Sequence, residues 1–196
     1  MGADREISLT AVLDAAVHVR PYPGFPLGGD LGVIRPLDDG ALVALVDAVG
    51  HGLTAYSAAQ TARHTLMTTS SEAPEVVLAE LDAALQGSVG AVAAVARIFP
   101  NRVVFAGIGN VAAWCAGQRL LLREGVLGQR FRTPRVSEHA LPAGQWLILA
   151  SDGISSAKVP LPSGAAETAA RAIVESAGKA HDDAAVLAAR WVEGTS

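Results

Sequence analysis

Aspartates that close apolar runs carry the most chemistry in this sequence. Leu45-Val46-Asp47-Ala48-Val49-Gly50-His51-Gly52 and Leu149-Ala150-Ser151-Asp152-Gly153-Ile154 each end a strand-like run in one aspartate, with glycine close behind. Gly28-Gly29-Asp30 stands upstream, and His181-Asp182-Asp183 opens the last apolar run. A fold that brings these strand ends to one edge gathers their carboxylates. Two carboxylates about 4 Å apart repel by roughly 4 kcal/mol at an effective dielectric near 20. Such a cluster needs cations, protons or distance, and cations are the option that does chemistry. Oxygen-only ligands favour hard ions such as Mn²⁺ or Mg²⁺ over zinc, which prefers histidine or cysteine.

The elements that must position these residues can be read in order. Ile7 to Val19 reads as a strand or hairpin arm, and Pro21-Tyr22-Pro23-Gly24-Phe25-Pro26 forces a loop. Leu31 to Arg35 and Ala41 to Val46 are strands around an Asp38-Asp39-Gly40 turn, a hairpin with Asp30 at its start and Asp47 at its end. Leu53 to Met67 lacks helix breakers and is a predicted helix. A second follows, with Ser71 as its expected N-cap, Pro74 in the first turn, and Val77, Leu81, Ala84 and Leu85 on one face. Ala91 to Phe99, Arg102 to Ala106, Val111 to Ala116, Gln118 to Leu122 and Trp146 to Ala150 are expected strands. Ala165 to Ala177 is an amphipathic helix with Glu167, Arg171 and Glu175 on its wet face, and Ala184 to Arg190 is a last strand. Strands flanking a helical pair, then a strand-rich half, indicate an α+β class and a single domain over residues 1–196.

Composition excludes several classes. With 51% hydrophobic and 17% charged residues the chain is globular rather than disordered. Its formal charge of -4 and the lack of a lysine or arginine run argue against nucleic acid or an anionic membrane as the main partner. Cys115 is the single cysteine, so no internal disulfide forms, and a reducing, cytoplasmic setting is expected. The polar stretch Met1 to Glu6 has no signal-peptide character, and apolar runs such as Ala41 to Val46 are too short to span a bilayer.

Five phrases in order, Gly28-Gly29-Asp30, Asp47-Ala-Val-Gly-His-Gly52, Ala106-Gly-Ile-Gly-Asn110, Ser151-Asp-Gly-Ile154 and Asp182-Asp-Ala-Ala-Val-Leu-Ala-Ala-Arg190, resemble the metal-dependent protein phosphatases (PPM), in particular their bacterial SpoIIE-like branch. The compact length resembles the stand-alone members of that branch that reset stressosome signalling. The resemblance implies a four-layer αββα sandwich of two antiparallel sheets with helices outside, and two Mn²⁺ or Mg²⁺ ions at one edge. It implies that Asp47 bridges both ions, that Asp30 and the backbone carbonyl of Ala48 serve one, and that Asp152 and Asp182 serve the other. Asp183 takes a place that commonly holds asparagine and is expected to support the ligands. A pair of such ions lowers the pKa of a shared water and sets it in line with phosphorus, so no covalent nucleophile is required. The implied substrates are phosphoserine and phosphothreonine proteins, with phosphorylated STAS-domain proteins of a stressosome-type module foremost.

Other residues keep plainer readings. His51 stands two places beyond the position where the eukaryotic branch has a histidine, and is expected to be a turn residue. Asp38, Asp39 and Asn110 read as turn residues, and Arg20 and Arg35 as phosphate partners or solvated side chains. Two other functions stay open: a catalytically inactive PPM-fold regulator that binds proteins, and a metal-dependent nuclease, which lacks the basic surface expected for nucleic acid.

Overall fold

A computed structural model describes residues 11–22, 24, 27–159 and 162–193. Among these residues, ten strands and three α-helices run in the order β1 (Ala11–Arg20), β2 (Asp30–Leu37), β3 (Gly40–Ala48), α1 (Gly52–Thr68), α2 (Pro74–Ala84), β4 (Ala91–Phe99), β5 (Arg102–Ile108), β6 (Ala112–Cys115), β7 (Gln118–Arg119), β8 (Ser137–Ala140), β9 (Leu147–Ala150), α3 (Ala166–Ala177) and β10 (Ala184–Glu193). They form two five-stranded antiparallel sheets, ordered β1-β10-β9-β6-β7 and β2-β3-β4-β5-β8.

The apolar runs of the sequence face two dry layers at once. On β3, Leu42, Ala44, Val46 and Ala48 pack with α1 and α2, while Ala41, Val43 and Leu45 point between the sheets. On β10, Ala184, Val186 and Ala188 meet α3, and Ala185, Leu187, Ala189 and Trp191 meet the opposite sheet. Period-two alternation thus splits each run between two cores, which explains why the runs carry no polar alternation. The result is the expected α+β sandwich, with two helices on one outer face and one on the other. Among the described residues, no helix is long and apolar enough to cross a membrane.

Several local expectations need correction. The N-cap of α2 is Ala73 rather than Ser71. Proline at the first helical position holds the residue before it extended, and Ala73 has φ -80° and ψ 117°. The Ser71 hydroxyl, two residues upstream of the cap, accepts a bond from the Ala73 N–H at 3.2 Å. β7 covers only Gln118–Arg119 of the expected Gln118 to Leu122 strand, although Leu120 still donates to Ala113 at 2.9 Å. The edge strand β8 was not expected, because Ser-Glu-His-Ala lacks the apolar signal of a buried strand. Arg35 is neither solvated nor aimed at phosphate: its guanidinium donates to the carbonyls of Thr69 and of Ser71 (2.7 Å), holding the C-terminal end of α1. Arg20 donates to the Lys179 carbonyl. The segment 7–10 of the first expected strand, and Pro23, Phe25 and Pro26 of the expected loop, lie outside the described residues.

Candidate functional site

Both sheets end at one edge, and the aspartates arrive there in pairs. Asp30 opens β2 and lies directly opposite Asp47 of β3 in the antiparallel register. Opposed residues in such a pair have Cβ atoms roughly 4.5–5.5 Å apart, and like charges there are destabilising. From the other sheet, Asp152 follows β9, while Asp182 and Asp183 precede β10. These two ends are held together by Ser151, whose N–H donates to the Ala185 carbonyl and whose hydroxyl accepts from the Ala185 N–H, each at 3.0 Å. Gly153 permits the closest approach. A Cβ built there would lie 1.6 Å from the Asp183 carbonyl oxygen, so no other residue fits without moving the strand.

Asp183 fastens one sheet to the other. Its carboxylate accepts the backbone N–H of Gly29 at 2.7 Å and that of Tyr22, so the turn leading into Asp30 is tied to the start of β10. It is buried, with 7% of its surface exposed. In the Val49-Gly50-His51-Gly52 turn, both glycines have positive φ, +86° and +78°, so the chain can reverse beside the carboxylates and enter α1.

Asp30, Asp47, Asp152, Asp182 and Asp183 line one cavity of about 680 Å³. Burial first, and then the facing Asp47, pushes the Asp30 carboxyl up to about 8. Burial and then Asp152 push Asp47 up to about 7. Asp182 is raised by burial and by Asp152, against the pull of Lys179 at 3.9 Å. One oxygen of Asp30, Oδ2, is buried with no hydrogen-bond partner among the described residues. A buried carboxylate oxygen without a donor, among mutually repelling carboxylates, is a donor set suited to a hard cation. Among the described residues, no three acidic, histidine or cysteine side chains are already drawn into an ion-holding arrangement. The chemistry of the residues fits Mn²⁺ or Mg²⁺, and the assignment of Asp30, Asp47, Ala48, Asp152 and Asp182 as ligands is a proposal.

Two further residues border this cavity. Asn110, expected to be a turn residue, donates from its amide to Asp152 Oδ2 at 2.9 Å. The Ala106-Gly-Ile-Gly-Asn110 phrase contained it, but spacing alone does not tell which sheet edge a side chain faces. The rings of Tyr22 and His51, which also line the cavity, stack at 5.6 Å. Nothing in the sequence signals that contact, because it joins a proline-rich loop to the start of α1. Asp38 and Asp39 lie away from the cavity, at the far end of the β2–β3 hairpin, where Asp39 pairs with the buried Arg97.

The profile of the stage II sporulation protein E (SpoIIE) family matches residues 38–192. No curated protein sequence matches the chain. Among solved structures, one from work on the bacterial stressosome as a modular system adapted to control secondary messenger signalling is 26% identical, with a TM-score of 0.82, covering 91% of this chain and all (100%) of its own. RsbX in complex with magnesium superposes with a TM-score of 0.75 at 15% identity, over 93% of this chain and 99% of that one. The catalytic domain of the serine/threonine phosphatase PstP with two manganese ions gives 0.69 at 19% identity, over 94% and 100%. With the acidic edge, the two-sheet sandwich and a family match over most of its length, the chain belongs to the SpoIIE family, has the fold of the PPM-type phosphatases and resembles RsbX.

Proposed function

We propose that this protein is a metal-dependent protein-serine/threonine phosphatase that uses a metal-activated water, and that its substrates are phosphorylated STAS-domain proteins of a stressosome-type module. The observation that carries the reading is the opposition of Asp30 and Asp47 across β2 and β3 in a cavity that Asp152 and Asp182 also line. A phosphatase has a use for that repulsion, and an inert binding module does not. The likeness to the stressosome and RsbX structures, over their full length or nearly so, supports a protein partner in a signalling module of that kind.

Asp30, Asp47, the Ala48 carbonyl, Asp152 and Asp182 would hold two Mn²⁺ or Mg²⁺ ions. When bound, such ions neutralise the carboxylates, bind phosphate oxygens and lower the pKa of water at the site. The chain's own residues do the rest. Asp183 holds the Gly28-Gly29 turn so that Asp30 stays opposite Asp47. Asn110 fixes one oxygen of Asp152 by donating to it, which directs the other away from the amide. The Tyr22 and His51 pair forms an aromatic wall, able to exclude water from one side of a bound phosphoryl group.

The test is manganese- or magnesium-dependent release of phosphate, first from p-nitrophenyl phosphate and then from a phosphorylated STAS protein. Excess chelator should abolish turnover and added metal restore it. Undiminished turnover in chelator would overturn the metal-dependent mechanism. No turnover on any phosphomonoester, with metal present, would favour the inactive regulator.

A further inference from the structure

We infer that Arg130 and Arg132, within the segment 119–135, form a docking surface for acidic residues flanking the phosphorylated side chain of a substrate protein. The inference rests on the phosphatase reading of the adjoining cavity. In sequence, the five arginines Arg119, Arg123, Arg130, Arg132 and Arg135 are spaced too widely to read as a basic run. The structure brings two of them, Arg130 and Arg132, to one recess. The five count among the chain's fifteen basic residues, set against one acidic residue, Glu124, in a chain whose formal charge is -4. All five are exposed, and none takes part in the ion pairs found among the described residues. The Arg119 guanidinium lies over the Trp114 ring, at 5.9 Å.

This segment is fixed in place by its backbone, so the arginine heads are not needed to hold it. Arg123 donates to the Gly107 carbonyl at 2.9 Å and accepts from Gly109 at 2.7 Å, at the end of β5. Leu127 exchanges hydrogen bonds with Ala91 at the start of β4, at 2.8 and 3.2 Å. Gly128 donates to Asp82 of α2 at 2.7 Å. Glu124, Gly125 and Val126 line the carboxylate cavity on one side. On the other they line a recess of about 190 Å³ completed by Arg130 and Arg132.

A phosphorylated residue seated in the cavity would carry its neighbours across this shared wall. Exposed, unpaired guanidiniums there meet carboxylates in the bidentate geometry that arginine favours. The wall separates Arg130 and Arg132 from the catalytic aspartates, so they address the flanking residues rather than the reacting phosphate. A protein partner is favoured over nucleic acid because the same partner must present a phosphomonoester to a carboxylate-lined cavity.

The experiment uses the full chain with Mn²⁺ and two phosphoserine peptides, one followed by four glutamates and one by four glutamines. The glutamate peptide should have a kcat/KM about three- to tenfold higher at low salt, the size expected from a few exposed ion pairs. That preference should collapse at high salt and in an Arg130→Glu/Arg132→Glu variant, and should survive in Arg63→Glu on the outer face of α1. Equal values for the two peptides, or a preference that survives Arg130→Glu/Arg132→Glu, would overturn the inference. Fluorescence anisotropy of the unphosphorylated glutamate peptide gives a readout independent of turnover. If p-nitrophenyl phosphate is not hydrolysed the phosphatase reading falls, while loss of peptide binding in the double variant still upholds the docking surface and its persistence refutes it. Tighter binding of a single-stranded RNA of matched charge would refute the assignment to an acidic protein segment.

Discussion

Replacing Asp30 by asparagine separates the electrostatic cost of the site from its chemistry. In the metal-free protein, burial and the facing Asp47 hold the Asp30 carboxyl at about 8, against 3.8 for an ordinary aspartate. The folded state therefore keeps a proton that the unfolded chain releases, and raising the pH between those values favours unfolding. Stability from this group is fully present below about pH 4 and is lost as the pH climbs through about 8. At about 1.4 kcal/mol per pH unit, the interval corresponds to on the order of 5 kcal/mol. Side chains that splay and water that enters reduce it, and roughly 3 kcal/mol is the working figure. Asparagine keeps the shape and does not titrate. Asp30→Asn should then exceed the parent by about 3 kcal/mol near pH 8 and match it near pH 4. In a domain of this length that is a gap of about 6–12 °C in Tm at the higher pH. Thermal and urea melts in excess chelator at both pH values make the measurement. A gap of equal size at both, or a variant less stable than the parent near pH 8, refutes the reasoning.

Asp47→Asn and Asp152→Asn should each abolish most metal-dependent turnover, while Asp38→Asn, at the far end of the hairpin, should leave it within about twofold of the parent; a loss at Asp38 matching that at Asp47 would show the ligand assignment to be wrong. Asn110→Ala should cost about 10–100-fold in metal affinity or activity by freeing the Asp152 oxygen that the amide now holds, read as a shifted Mn²⁺ titration with an unchanged melting temperature. Gly153→Ala must displace backbone that a Cβ would meet at 1.6 Å, so a loss of several kcal/mol in urea melts is expected; parent-like stability and turnover together would mean that the Asp152 and Asp183 strand ends are not pressed against each other.

What was legible in the sequence follows from which signals are local. The buried strands, the three helices and the β2–β3 hairpin announce themselves through unbroken apolar runs and turn residues, so Asp30 opposite Asp47 could be anticipated from one hairpin. The second pair was reachable only through its motif order, since nothing local to Asp152 or Asp182 says that β9 and β10 are neighbours. β8 was invisible because an edge strand with half-exposed residues has no apolar run to show. Asn110, Tyr22 and Arg35 were misjudged or passed over for a shared reason. Each is defined by a partner tens of residues away or more, the Asp152 carboxylate, the Asp183 carboxylate and the end of α1. The arginines of the segment 119–135 look scattered along the chain, and that Arg130 and Arg132 line one recess beside the cavity shows only once this backbone is fixed to β4, β5 and α2.

The division of the aspartates between the sheets makes the site a caliper. Asp30 and Asp47 ride on one jaw, Asp152 and Asp182 on the other, and the Asp183 carboxylate is a rivet near the tips. The jaw opening is set by what lies between them: Leu45, Phe105, Leu147 and Leu187, all without exposed surface. Packed interiors shift between discrete arrangements rather than stretching smoothly. A change of volume in that middle layer therefore moves one half of the acidic set against the other, even when it lies remote from the carboxylates. A change of the same size beneath α3, at Ile173 or Val174, loads only the back of one jaw. Substitutions of equal thermodynamic cost thus differ in what they do to the gap, according to which side of a sheet they occupy.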